Sequence, residues 1–110
     1  MGYMTENIKV LNSKEFDDFL DGENVVIDFY ADWCGPCKIT APEFESASEE
    51  LKDRVKFAKV DVDKSQDLAI RFQVMGIPTM IFFKDKEQVE RVSGAMDKDE
   101  IVDIARKAFF

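Results

Sequence analysis

Val25-Val26-Ile27-Asp28-Phe29-Tyr30-Ala31-Asp32-Trp33-Cys34-Gly35-Pro36-Cys37 runs from an apolar, β-branched segment straight into the only two cysteines of the chain. Val25 to Tyr30 is too apolar for a surface strand and reads as a central strand, buried on both faces. Pro36 fits the first turn of a helix, where its missing N–H would lack a partner anyway. A buried strand that delivers a Cys-x-x-Cys pair to the mouth of a helix reads as a redox motif. Two thiols at this spacing close and reopen a small disulfide, each acting as the other's leaving group.

Other uses of the pair fit less well. A closed zinc site wants four Cys or His ligands, and this chain has two Cys and no His; the same ligand count argues against an iron–sulfur cluster. Haem attachment needs His after the second cysteine, where Lys38 stands. A purely structural disulfide across so short a loop removes little entropy from the unfolded chain. Exchange is the chemistry left.

The 110 residues suit one domain, 1–110, able to bury about two-thirds of its unfolded surface. A hydrophobic fraction of 45% with ten phenylalanines supports a packed core without disulfide staples. Fifteen Lys and Arg against 23 Asp and Glu leave a formal net charge of −8, which argues against nucleic acid or an anionic membrane as a partner. No segment approaches the roughly 20 apolar residues of a membrane span. Met1 to Ser13 lacks the apolar region of a secretory signal, and Glu6 stands where a myristoylation site wants Ser or Thr. Met4 offers an alternative start that would make residues 1–3 dispensable. The expectation is a cytoplasmic protein, in a reducing compartment where a cysteine pair is catalytic rather than structural.

Around the opening stretch the pattern predicts a strand at Ile8–Leu11 and a helix over Lys14–Leu20, capped by Asn12 or Ser13. The cysteine helix runs on to Leu51, with a kink expected at Pro42. A strand follows at Val55–Val60 and a short helix at Gln66–Phe72. Thr79–Phe83 and Gln88–Ser93 form a hairpin, and a last helix over Lys98–Ala108 places Ile101, Ile104, Ala105 and Ala108 on one face. The order βαβαβαββα is α/β: parallel units first, then a hairpin and a covering helix.

Only a thiolate attacks a disulfide, so one cysteine needs a lowered pKa and access. Cys34 precedes the Gly35-Pro36 that opens the helix, where free backbone N–H groups and the helix dipole favour a negative sulfur. It is the expected nucleophile. Cys37, one turn in and expected to be the more buried, is the resolving thiol. Asp28 is a lone carboxylate in an apolar strand, so burial raises its pKa, and alternation puts it on one face with Val26 and Tyr30. Three readings stand: a base that takes the proton of Cys37, directly or through water, half of a structural ion pair, or one of two strand-end charges facing solvent. Lys59, in its own apolar strand, is the candidate partner. Gly76-Ile77-Pro78-Thr79 opens an apolar strand, which raises the chance of a cis peptide at Pro78 without deciding it. Trp33 is a core residue or a surface one, core being the commoner fate.

Taken together, Val25 to Lys38, Ala41-Pro42, Asp61-Val62-Asp63, Gly76-Ile77-Pro78-Thr79 and Ser93-Gly94-Ala95 resemble the thioredoxin family in order and spacing across nearly the whole chain. The resemblance implies a thioredoxin fold, with a central five-stranded mixed β-sheet flanked by four helices. It implies a cis peptide before Pro78, packed on the cysteine pair, and places Asp28 and Lys59 on the family's buried acid and its paired lysine. Trp33, Gly35, Pro36, Met75, Gly76, Ile77, Gly94 and Ala95 fall on the surface that receives a substrate's cysteine segment, which reverses the core reading of Trp33. Electrons would come from a thioredoxin reductase, and the chain itself would bind no cofactor and no metal.

The expected function is a monomeric protein-disulfide reductase. Two alternatives stand beside it. An oxidase or isomerase would usually carry His between the cysteines, where this chain has Gly35-Pro36, and its reduction potential would lie in the isomerase range. A binding module with an incidental redox centre would keep its full cellular activity after both cysteines are changed to Ser. Three departures from the family pattern bear on partner choice or turn geometry. They are Met75 before Gly76, Ser93 before Gly94, and Lys84-Asp85-Lys86-Glu87 at the hairpin, where the lack of Asn-Gly or Asp-Gly suggests a longer loop.

Overall fold

The computed structural model describes residues 8–110, so the readings placed on residues 1–7 lie outside the described residues. The elements are β1 (Ile8–Val10), α1 (Phe16–Phe19), β2 (Asn24–Tyr30), α2 (Gly35–Leu51), β3 (Lys56–Asp61), α3 (Gln66–Arg71), β4 (Thr79–Lys84), β5 (Glu87–Ser93) and α4 (Lys98–Phe109). Their order matches the sequence reading, and the bounds differ by a residue or two. One five-stranded sheet runs β1-β3-β2-β4-β5. β3 pairs parallel with β1 and β2, whereas β4 pairs antiparallel with β2 and β5, so the sheet is mixed. β2 is its centre, as the run Val25–Phe29, apolar but for Asp28, requires.

Alternation along β2 divides the core. Val26 joins Phe57, Met80 and Phe82 under α2 and α4, against Phe44, Leu51, Ile101 and Phe109. Val25, Ile27 and Phe29 face the other way, joining Ile81 and Phe83 against Phe16 and Leu20 around α1 and Leu68 of α3. Phe72 sits among these rings, 5.2 Å from Phe16, 5.5 Å from Phe83 and 6.1 Å from Phe29 between centroids. The margins of the sheet are unlike its middle. β1 has three residues among those described, and β5 is exposed along nearly its whole length.

Helix α1 starts later than its sequence suggests, at Phe16. Asn12 Oδ1 accepts the Glu15 N–H while Glu15 Oε1 accepts the Asn12 N–H, so the preceding turn is closed by side chains instead of by helix. Helix α2 is continuous through Pro42. Helix α4 carries a reciprocal cap that the sequence reading passed over: Asp97 accepts the Glu100 N–H at 2.9 Å and Glu100 accepts the Asp97 N–H at 3.0 Å. Asp97→Ala is expected to destabilise the fold by about 1 kcal/mol, read as a lowered urea midpoint.

The hairpin corrects the expectation of a longer loop. Only Asp85 and Lys86 join β4 to β5, both with positive φ (51° and 71°), as a type I′ turn demands. Aspartate tolerates this region moderately well and lysine poorly, so the ladder on either side dictates the turn against local preference. Among the described residues, no helix is long and apolar enough to cross a membrane.

Candidate active site

β2 ends at Tyr30, and the chain turns through Ala31-Asp32-Trp33 into the first turn of α2. Cys34 is the N-cap of that helix, with extended backbone (φ −86°, ψ 115°), and its Sγ accepts the Cys37 N–H at 3.2 Å. A helix N-terminus leaves such N–H groups without intrahelical partners, and here one of them points at sulfur. Cys34 and Cys37 form a disulfide with Cα atoms 5.2 Å apart. Both are 4% exposed, so the expectation that Cys37 is the more buried fails in the disulfide form. Gly35 and Pro36 lie exposed on the outer side of the turn. Ala31 completes a small buried cluster with the two cysteines, and Tyr30, Val62 and Ile77 pack against it.

The loop before β4 faces this pair. Its Ile77–Pro78 peptide is cis, Pro78 is buried, and the Ile77 carbonyl oxygen lies 3.8 Å from Cys34 Sγ. In the disulfide this is contact only, because the sulfur carries no proton to donate. Thr79 Oγ1 donates to the Gly76 carbonyl at 2.6 Å, so the 3.0 Å contact between the hydroxyls of Thr79 and Ser93 takes its proton from Ser93. Gly94 donates its N–H to the Pro78 carbonyl at 2.8 Å with φ +101°, a conformation that favours glycine. Gly76, Ile77, Gly94 and Ala95 therefore come to one rim beside the disulfide. Sequence reasoning missed that Thr79 and Ser93 hold this rim together; a hydroxyl on each of two neighbouring strands was the available signal.

Trp33 settles on the surface, 69% exposed, with its indole N–H donating to Asp63 at 2.8 Å. Asp63 is fixed in turn, since Asp61 Oδ1 accepts the backbone N–H groups of Asp63 and Lys64. Met75 also stands in solvent, over a groove formed with Ala69, Ile70, Gln73 and Val74.

On the strand that leads into the cysteine turn, Asp28 is 1% exposed, and its carboxyl has no hydrogen-bond partner among the described residues. Burial pushes its pKa up to about 7, with the Lys59 charge pulling the other way. Asp28 and Lys59 are in register on neighbouring strands, yet no close ion pair forms between them. The Lys59 ammonium sits instead over the Tyr30 ring, 4.3 Å from its centroid. Burial and the nearby Asp61, Asp32 and Asp28 push the Tyr30 hydroxyl up to about 12, so it stays protonated at neutral pH. A cleft of about 200 Å³ lined by Tyr30, Ala31, Asp32, Cys37, Lys38, Ala41 and Lys59 reaches Cys37, roomy enough for water. Tyr30 is the member of this group that sequence reasoning left without a role, although its place on the Asp28 face was legible. Among the described residues, no cluster of three or more His, Cys, Asp or Glu could hold a metal ion.

A disulfide at a helix N-terminus, facing a cis-proline loop and preceded by a strand that buries a carboxyl, defines a thiol–disulfide oxidoreductase. A family model for thioredoxin matches residues 7–107. A thioredoxin from Chlamydia trachomatis is 41% identical over 100 residues, covering 91% of this chain and 97% of that one. One from Mycoplasmoides gallisepticum is 39% identical, covering 88% and 97%. Among solved structures, a mutant thioredoxin from Halobacterium salinarum superposes with a TM-score of 0.86 at 38% identity, covering 99% of this chain and 97% of that one. The chain belongs to the thioredoxin family, and its activity is protein-disulfide reduction. Disulfide-bearing substrates and a reductase partner go with that family.

Proposed function

We propose that this chain is a cytoplasmic, monomeric reductant of protein disulfides, folded as one domain over residues 1–110. Cys34 is its nucleophile and Cys37 its resolving thiol. The observation that carries the order of attack is the Cys37 N–H directed at Cys34 Sγ, at the positive end of a 17-residue helix. The Cys34 thiolate attacks one sulfur of the substrate disulfide, and the other sulfur leaves as thiolate. Cys37 loses its proton toward Asp28 and attacks Cys34, which releases the reduced substrate and closes the Cys34–Cys37 disulfide. The cleft at Cys37 is roomy enough for water and is lined by Lys59, the register neighbour of Asp28, which supports passage of that proton through water, with Lys59 stabilising the Asp28 carboxylate once formed.

Trp33, Gly35, Pro36, Met75, Gly76, Ile77, Gly94 and Ala95 form the docking face for the substrate's extended segment. Pro78 orients the loop that carries this face. A thioredoxin reductase returns two electrons to the disulfide. Insulin-disulfide reduction coupled to candidate reductases tests the reading, with the reduction potential of the pair measured alongside. Turnover at a reducing potential is the expected result. A potential in the isomerase range, with no insulin reduction, would overturn it.

A further inference from the structure

Met75 is 94% exposed, whereas Met80 is 1% and Met96 7% exposed. A thioether held in water next to a redox centre is unusual placement for a side chain that normally fills cores. Its position is fixed by the end of α3. Gln73 takes positive φ (53°), the Gln73 N–H returns to the Ile70 carbonyl at 3.0 Å, and the Val74 N–H returns to the Ala69 carbonyl at 2.9 Å. Arg91 of β5 donates to the carbonyls of both Phe72 and Gln73. The helix is thus stopped by paired bonds and clamped from the sheet, and the next residue but one after Gln73 projects into solvent. Met75 then forms, with exposed Ile70 and half-buried Val74, an apolar groove continuous along the chain with Gly76-Ile77-Pro78.

We propose that Met75 is a site of reversible oxidation by hydroperoxides that lowers the affinity of the docking face for protein disulfides; this rests on the docking role given above to residues 75–78. The Met75 sulfur attacks the outer peroxide oxygen, a sulfur–oxygen bond forms as the oxygen–oxygen bond breaks, and water or an alcohol leaves. The sulfur gives up two electrons and the peroxide accepts them, with no net proton. The product sulfoxide is polar and chiral where an apolar surface is needed, and a methionine sulfoxide reductase restores the thioether. Met80 and Met96 are shielded by the core. The Cys34–Cys37 disulfide leaves neither cysteine as a thiolate for the peroxide to oxidise.

The test treats the disulfide form with hydrogen peroxide, removes the oxidant, and regenerates the dithiol with dithiothreitol. Peptide mapping then follows each methionine, while insulin and a small aromatic disulfide serve as substrates. Met75 should convert ahead of Met80 and Met96. With Met75 converted, kcat/KM for insulin should fall about fivefold, mainly through KM, and the small disulfide should react as before. In Met75→Leu, which keeps Met1 and Met4, the ratio of treated to untreated rates should stay near one. An unchanged insulin KM with Met75 fully converted would overturn the proposal. So would an equal loss in Met75→Leu, or a loss shared by the small disulfide. Untreated protein that cannot reduce insulin at all is a separate result, and it refutes the docking reading before peroxide is added.

Discussion

Cys37→Ser is expected to accumulate a covalent complex between Cys34 and a substrate cysteine, and Cys34→Ser to accumulate none. Turnover should fall by about three orders of magnitude or more in both, so the two variants differ in what they trap, not in what they lose. Exposure does not predict this asymmetry, because the two cysteines are equally buried as residues in the disulfide form. The local field does. Cys34 caps α2 and receives a backbone N–H, which lowers the cost of a thiolate there. Cys37 is already inside the first turn and faces the cleft beside Lys59. Non-reducing electrophoresis with mass spectrometry of the trapped species checks the order of attack. Equal trapping by both variants would refute it.

Asp28→Asn is expected to stabilise the disulfide form at neutral and alkaline pH while slowing resolution. In the unfolded chain this carboxyl ionises near its ordinary value of 3.8, but in the fold it holds its proton to about 7. Between those values the unfolded state binds fewer protons, so stability falls as pH rises. The loss begins near pH 4 and is complete above about pH 8. Its full size is about 4 kcal/mol, from 1.36 kcal/mol for each unit between the two values. An amide at this position does not ionise and carries no such penalty, so the difference between the urea midpoints of the two proteins should be constant below pH 4, grow from there to about pH 8 and level off above it. A constant offset at all pH values would mean that the Asp28 carboxyl ionises alike in the folded and unfolded states. In single-turnover kinetics, Asp28→Asn should slow the second step more than the first and abolish an inflection near pH 7. Lys59→Met should move that inflection upward, because the Lys59 charge pulls the Asp28 pKa down. If neither step changes, Asp28 is structural.

The strand–cysteine–helix unit was legible because its signals are local: an apolar run, two cysteines at fixed spacing, and a proline suited to a first turn. Asp28 was legible for the same reason, as a charge where the pattern allows none. What escaped the sequence is set by tertiary context. The Asp85-Lys86 turn is forced by the register of β4 and β5 against the preferences of its residues. The Lys59 ammonium lies over Tyr30 instead of on Asp28, a choice between two neighbours that only the packed sheet decides. Equal burial of the two cysteines follows from the cis-proline loop lying across Cys34, and that loop comes from far along the chain.

The unlike margins of the sheet bear on how such a protein lives among its partners. An electron carrier must leave each partner quickly, and an open strand edge would hold partners, or other copies, by backbone pairing. β5 sets Glu87, Glu90 and Arg91 along one such edge. Charges along β5 disfavour backbone pairing there, which leaves the end of the sheet where the sulfurs lie as the place for a brief contact.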